Sequence, residues 1–187
     1  TTMNRPLLLE KVACALAASQ INVIAADVYT STSGITCDIF HVCTEDQLAV
    51  THAGTKKKVE ETFSKLIQKD TYDSSKHLKK KRNFLQKDTT EGGLPFPVQA
   101  FVNNQASQQF TAIEVQALDR IGLLHDIFLN IGKCGLATVH ARICTEKGAA
   151  MDTIYVSNMD GSKVTDPEMI SHLEHTIQRL VGFEHAD

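Results

Sequence analysis

The chain has 187 residues, of which 42% are hydrophobic and 22% are charged, a composition typical of a globular protein. Its formal net charge of −3 provides no overall positive field that would attract nucleic acid or an acidic membrane surface. No apolar run approaches the roughly 18 residues that cross a bilayer, which excludes a membrane-spanning helix.

The cysteines indicate the redox environment of the protein, and the N-terminus indicates whether the chain is part of a longer one. Five cysteines are present, an odd number with no Cys-x-x-Cys pair, which argues against a disulfide framework or a zinc ribbon. We therefore expect a reducing, cytoplasmic environment. No secretory signal precedes Asn4, and position 1 is not Met, so we expect the chain to be a fragment of a longer protein.

The first part of the chain reads as helix, strand, strand, helix. Apolar residues at helical or alternating spacing predict a helix over 8–19, strands over 22–30 and 36–43, and a helix over 56–68. The strand expected before the first helix is mostly absent. We assign residues 1–84 to this first unit.

A polar segment separates this unit from the next. Residues 76–88 carry six basic residues with one aromatic, which favours a solvated linker over a nucleic-acid patch. We expect a linker over 85–110, marked by Gly92-Gly93 and nearby prolines. Within it, 97–104 reads as a strand. This strand either closes the first unit or forms a hairpin with the strand over 111–118.

The second unit, 111–187, has the same order of elements. Alternation predicts the strand over 111–118, and the helix that follows ends at Gly135. Two strands joined at Gly148 come next. A final helix is expected from Thr165, with Thr165 and Glu168 as a capping box.

The two units align as a repeat at an offset of 115 residues. The segment Asn4-Arg5-Pro6-Leu7-Leu8-Leu9 falls on Asp119-Arg120-Ile121-Gly122-Leu123-Leu124, and hydrophobic class is kept at nearly every aligned core position. We predict an α+β protein of two ferredoxin-like βαββαβ repeats, with antiparallel sheets and helices on one face. The half-covered sheets should associate through an edge or a face, either as a pseudo-twofold pair within the chain or as a homodimer.

The junction between strand and helix at Asp119–Gly122 is a candidate binding site. A helix N-terminus exposes free N–H groups that suit a carboxylate. Gly122 permits close approach of a ligand, and Asp119 can pair with an ammonium group, so the junction suits a zwitterion. The structural alternative is an Asp cap followed by a glycine turn, with Arg120 paired to a nearby acid.

The motif D-R-x-G-L-L between a strand and a helix, followed by two hairpin strands, resembles the ACT domain. The stretches NRPLLLEKVACALAASQINVIAADVYTSTSGITCDIFHV and FVNNQASQQFTAIEVQALDRIGLLHDIFLNIGKCGLATVHARICTEKGAAMDTIYVSN are most similar to the tandem ACT repeats of bifunctional uridylyltransferase/uridylyl-removing enzymes. The resemblance implies amino-acid sensing, with glutamine as the ligand, and control of uridylyl transfer to signal protein PII. It implies ligand binding by Asp119, Arg120, Ile121, Gly122, Leu123 and Leu124, and by Asn4, Arg5, Pro6 and Leu7.

The first repeat departs from the motif, because Asn4 and Leu7 stand where the Asp and Gly belong. The family's catalytic patterns are also absent, so we expect a non-catalytic chain without a cofactor of its own. The resemblance implies that Mg²⁺ belongs to the catalytic domains of the parent enzyme, which would be partners of this chain. The alternatives are a stand-alone interaction module, or the regulatory domain of another enzyme of amino-acid metabolism.

Other polar pairs favour structural roles. His172 and His175 lie three residues apart with no further ligand evident, which indicates surface residues. The adjacent His125 and Asp126 lack the partners of a metal-dependent phosphohydrolase, and we expect their side chains to diverge because they are neighbours on a helix. No nucleophile has a plausible base.

Overall fold

The computed structural model describes residues 2–3, 7–31, 35–44, 46–68, 78, 97–146 and 148–182. Within these ranges the elements are β1 (Thr2–Met3), α1 (Leu8–Ala18), β2 (Ile21–Thr30), β3 (Ile35–Thr44), α2 (Ala53–Gln68), β4 (Gln99–Asn103), β5 (Thr111–Leu118), α3 (Leu123–Lys133), β6 (Leu136–Glu146), β7 (Ala149–Asn158) and α4 (Pro167–Val181). The basic segment 76–88 other than Leu78, and linker residues 85–96, lie outside the described residues.

All seven described strands form one antiparallel sheet in the order β1-β3-β2-β6-β7-β5-β4. The first repeat supplies β1-β3-β2 and the second supplies β6-β7-β5-β4, so the predicted α+β, ferredoxin-like arrangement is confirmed. The two sheets that we predicted join through β2 and β6 into a single sheet. The predicted pairing of the repeats therefore occurs within the chain.

A pseudo-twofold axis relates the repeats. The β2–β6 register pairs Asp27 with Arg142, two positions that are equivalent at the offset of 115 residues. Each of these strands also has an irregularity at the equivalent place, between Val23 and Ala25 in β2 and between Thr138 and His140 in β6. The sequence repeat is therefore also a repeat of backbone geometry.

The short strand β4 forms a hairpin with β5, which decides between the two positions that the sequence left open. There it occupies the edge of the second repeat. Two of its N–H groups donate to α4 side chains: Ala100 N–H to Gln178 Oε1 at 2.5 Å and Val102 N–H to Glu174 Oε2 at 2.9 Å. These bonds provide acceptors for two backbone N–H groups on the outer edge of β4.

The helices pack on one face of the sheet, where α1 contacts both α2 and α3 and α3 contacts α4. The main core lies between the helices and the strands, and includes Ala26, Val28, Ile113, Ile127, Ile154 and Leu173. A second cluster joins α1 and α2 through Cys14, Leu66 and the buried Leu78. The opposite face of the sheet exposes large apolar side chains, among them Tyr29, Ile39, Phe101 and Met151.

The start of α4 differs from the prediction. Its N-cap is Asp166, whose carboxylate accepts a hydrogen bond from Glu168 N–H at 3.1 Å, with Pro167 in the first turn. The capping box of Thr165 with Glu168 was therefore wrong by one residue. Asp is as good an N-cap as Ser or Thr, and Pro at the first helical position favours the later start.

Candidate functional site

The bend between β5 and α3 has the geometry of a helix start that no side chain caps. Gly122 is the N-cap residue with φ 81° and ψ 8°, a left-handed conformation that glycine adopts without strain. Leu123 N–H donates to Arg120 O at 3.1 Å. The N–H groups of Ile121 and Leu124 have no acceptor in the part of the chain that the structure describes.

Asp119 opens this bend and is mostly buried. Its N–H donates to Gly148 O at 2.8 Å, which fixes the end of β5 against the β6–β7 turn. Burial raises the pKa of the Asp119 carboxyl, and the N–H group and positive charge of Arg120 oppose this shift. A neighbouring cation would therefore relieve the cost of keeping this carboxylate ionised.

The bend forms one wall of a cavity between the repeats, which we name the Asp119 cavity. All six predicted residues of the second repeat, 119–124, line it together with His125. The first repeat supplies the other wall from α1 and β2: Ala13, Leu16, Ala17, Ile21, Asn22 and Val23. Its volume is about 30 Å³, which accommodates water-sized groups. A whole amino acid requires these walls to separate.

An equivalent cavity, the Leu7 cavity, lies on the other side of the pseudo-twofold axis. Its walls are Leu7–Glu10 from the first repeat and Ile131, Gly132, Leu136, Ala137, Thr138 and Met159 from the second. Its volume is about 180 Å³. Asn4, Arg5 and Pro6 lie outside the described residues, so Leu7 is the one predicted site residue of this repeat that can be placed.

Leu7 has the same left-handed backbone conformation as Gly122, although it carries a branched side chain. It has φ 59° and ψ 23° as the N-cap of α1, a left-handed conformation that is costly for a branched residue. Its side chain packs over Gly132, where a Cβ atom would collide with Leu7 Cδ2. The bend is therefore kept although Leu7 replaces the glycine of the motif. Gly132 on the facing helix α3 leaves room for the leucine side chain.

A chain of charged side chains lies between the two cavities, and we name it the interface relay: Glu10, His125, Asp126 and Arg120. The first three are buried or nearly so, and Arg120 at the end is 25% exposed. Glu10 Oε1 lies 2.8 Å from His125 Nε2, His125 Nδ1 lies 3.0 Å from Asp126 Oδ1, and Asp126 Oδ2 lies 2.9 Å from Arg120 Nη1. The His125 side chain is fully buried and that of Glu10 is 3% exposed.

The relay favours a charged His125. Burial alone lowers the pKa of this imidazole, but the hydrogen bonds and negative charges of Asp126 and Glu10 outweigh burial and raise the pKa above its usual value. The interactions of protonated His125 with Asp126 and Glu10 therefore stabilise the folded state fully below the ordinary histidine pKa. This stabilisation is lost as the pH rises through the raised pKa of His125.

Our sequence reasoning missed this relay. We expected His125 and Asp126 to diverge because they are adjacent on a helix, whereas their side chains contact each other. Glu10 and His125 are equivalent at the offset of 115 residues and pair across the axis. The sequence did contain a signal for this contact: Glu10 and His125 are polar residues at equivalent positions on otherwise apolar helix faces.

The described residues contain no group of three or more His, Cys, Asp or Glu side chains placed to hold a metal ion. His172 and His175 are both exposed on α4, as their spacing suggested. Among the helices that the structure describes, none is long and apolar enough to cross a membrane.

A family model for the ACR9-like, ACT-like domain matches residues 99–182. The match begins at the first residue of β4 and ends one residue after α4. It therefore includes β4 with the second repeat, in agreement with the hairpin that β4 forms.

Curated relatives match nearly the whole chain. The bifunctional uridylyltransferase/uridylyl-removing enzyme of Bradyrhizobium sp. (strain ORS 278) is 26% identical over 188 residues, covering 98% of this chain and 19% of the relative. The enzyme of the same description from Gluconobacter oxydans (strain 621H) is 29% identical over 180 residues, covering 93% and 18%. The chain thus spans about a fifth of the length of these relatives. No solved structure matches the chain significantly.

Proposed function

Because residues 99–182 form an ACT-like domain and the chain is homologous to uridylyltransferase/uridylyl-removing enzymes, we propose that it is a regulatory pair of ACT repeats that binds an amino acid, with glutamine as the first candidate. The observation that carries this proposal is the pair of equivalent cavities. Each lies between the loop of one repeat and the opposite repeat, so a ligand there contacts both halves of the protein.

The Asp119 cavity supplies groups for both ends of an amino acid. The N–H groups of Ile121 and Leu124 lie at the positive end of the α3 dipole, where a carboxylate is stabilised. Asp119 is the partner for the ammonium group, and Asn22 on β2 can hydrogen-bond a polar side chain such as the glutamine amide. Because the cavity is small, binding here requires the bend to move away from α1 and β2.

The Leu7 cavity is the larger of the two sites. A cavity of about 150 Å³ in another protein binds benzene, so about 180 Å³ is a suitable size for a small amino acid. Thr138 offers a hydroxyl group, and the rest of the wall is largely apolar. We therefore include the first repeat as a binding site although its motif departs from the family pattern.

For the parent protein, we propose that amino-acid binding to this chain controls uridylyl transfer and removal on protein PII. The names of the relatives supply uridylyl transfer and removal, and the sequence resemblance implies protein PII as the acceptor. The matched length restricts this chain to about a fifth of such an enzyme. Catalysis and its Mg²⁺ would belong to the catalytic domains, which this chain would contact as partners in the cytoplasm.

Calorimetric titration with glutamine and a panel of other amino acids tests the binding proposal. We expect saturable binding, weakened at least about tenfold by Asp119→Ala, because a charged hydrogen bond is worth about 1.5 kcal/mol or more. Gly122→Val should also weaken binding, by placing a side chain in the bend. The matched control is Gly161→Val, since Gly161 has a similar φ of 84° and a Cβ atom added there would meet nothing within 4 Å beyond its chain neighbours.

The control variant should bind as tightly as the wild type, because Gly161 belongs to neither cavity. Absence of binding across the whole panel contradicts the sensor, and so does unchanged binding by both the Asp119 and the Gly122 variants. A stoichiometry of two ligands per chain would assign binding to both cavities.

A scaffold function is the second candidate, favoured by the exposed apolar residues of the open sheet face. Tyr29 is 52% exposed, Ile39 is 50% exposed and Met151 is 46% exposed, and such residues often mark contact surfaces. Light scattering over a range of concentrations separates the candidates. Self-association without amino-acid binding supports the scaffold, whereas a monomer that binds an amino acid supports the sensor.

A further inference from the structure

We infer that the two cavities are energetically coupled through the interface relay, an inference that rests on the proposed function of the cavities. Arg120 and His125 line the Asp119 cavity, and Glu10 lines the Leu7 cavity. The three contacts that join them measure 2.8, 3.0 and 2.9 Å. A continuous path of charged hydrogen bonds therefore leads from one cavity to the other.

Because most of this path is buried, its ion pairs are costly to break. A buried ion pair that loses one partner leaves an uncompensated charge, which is strongly destabilising. His125 is fully buried and Asp126 is largely buried, so water is poorly placed to replace a lost partner. When a ligand moves Arg120 at one end, Asp126 and His125 must readjust, and Glu10 readjusts with them.

The relay crosses the pseudo-twofold axis, which makes it a contact between the two repeats. Glu10 lies on α1 of the first repeat, and the other three members belong to the second repeat. Both cavities are also bounded by both repeats. Separation of the walls at one cavity therefore changes the relay geometry and the walls of the other. Reciprocity then requires each ligand to change the affinity of the other by the same factor.

Methyl NMR on the ligand-free chain tests the coupling without relying on binding. Arg120→Gln removes the charge at the Asp119 end, and we expect it to shift the methyl signals of Leu8, Leu9 and Met159, which line the Leu7 cavity. Arg120→Lys retains the charge and should shift them less. The control Arg179→Gln changes an exposed arginine on α4 that lines neither cavity, and should leave them unchanged.

A second arm uses the ligand. If glutamine or another amino acid binds, Arg120→Gln should change the affinity of the Leu7 cavity by at least about fivefold, the lower end of typical allosteric coupling, while Arg179→Gln should not. If Arg120→Gln fails to fold, the smaller shifts of Arg120→Lys and their suppression by Glu10→Gln provide the same evidence.

The two arms separate the two ideas. Shifted Leu7-cavity methyls without binding of any amino acid support the relay and contradict the proposed function. Amino-acid binding with unmoved methyls in both Arg120 variants supports the function and overturns the relay.

Discussion

Asp152 combines deep burial with an incomplete set of hydrogen bonds. It lies on the helix-facing side of β7 and is 3% exposed. One carboxylate oxygen accepts from Cys144 N–H at 3.2 Å, and the other has no partner among the described residues. Burial raises the pKa of this carboxyl to about 7, and the nearby Asp119 adds to the shift. The folded protein therefore keeps a proton that the unfolded chain loses near pH 4.

We predict that Asp152→Asn stabilises the protein at pH 8. As the pH rises from about 4 to 7, the unfolded state ionises Asp152 while the folded state resists, so the wild type loses stability over this window. The full difference of about three pKa units corresponds to a loss on the order of 4 kcal/mol. An amide cannot ionise and avoids this loss. Urea unfolding at pH 5, 6, 7 and 8 should show the advantage of the variant growing with pH.

Parallel stability profiles for Asp152→Asn and the wild type would contradict this prediction. A variant that is less stable than the wild type at every pH, but by a smaller margin as the pH rises, would show that the unpaired amide N–H₂ group costs more than the proton linkage. In that case the slope of stability against pH still reports on Asp152, because the variant should lack the decline between pH 4 and 7.

Single residues of the site differ in how far the sequence could predict them. Asp119, Gly122 and their neighbours could be named as candidate binding residues because glycine and charge at a strand–helix junction have a direct physical meaning. The left-handed Leu7 was not, because leucine disfavours that conformation and tertiary packing over Gly132 overrides the preference. The relay was also beyond local reasoning, because it joins Glu10 to a residue more than a hundred positions away.

At the scale of elements, periodicity located every described helix and strand from α1 onward but did not decide where β4 belongs. Alternation in 97–104 shows which side chains share a face, and this is the same whether the strand closes the first repeat or the second. The choice depends on partners elsewhere in the chain. Gln178 and Glu174 on α4 supply acceptors for two N–H groups of β4, which favours its position beside β5.

We predict that these two acceptors stabilise the sheet edge. Glu174→Ala should lower the free energy of unfolding by about 1 kcal/mol, and Gln178→Ala by about 1–3 kcal/mol, because the N–H group of the buried Ala100 loses its acceptor. Glu174→Gln retains an acceptor oxygen and serves as the control. Chemical unfolding measures the stability of each variant, and light scattering reports whether the opened edge promotes self-association.

If both alanine variants unfold at the denaturant concentration of the wild type, the α4 contacts contribute nothing to the edge. If Glu174→Gln loses as much stability as Glu174→Ala, the negative charge matters more than the hydrogen bond to Val102.

At the scale of the whole molecule, equivalent positions next to the pseudo-twofold axis carry opposite charges. Asp27 is paired with Arg142 on the sheet, and Glu10 with His125 between the helices. Two copies of the same repeat, paired in the same register, would place like charges opposite each other, which is destabilising. The charges therefore favour pairing of the first repeat with the second over pairing of identical repeats.

A charge-swap series at the axis tests this idea in the full chain. Asp27→Arg should lower the free energy of unfolding by about 0.5–1 kcal/mol, because it faces Arg142 in the β2–β6 register. Asp27→Asn should cost less, since it removes the attraction without adding repulsion. The double variant Asp27→Arg with Arg142→Asp should recover most of the loss, because it restores opposite charges in reversed order. Additive losses in the double variant, measured by urea unfolding at low salt, would show that these two side chains do not interact and that packing alone selects the pairing.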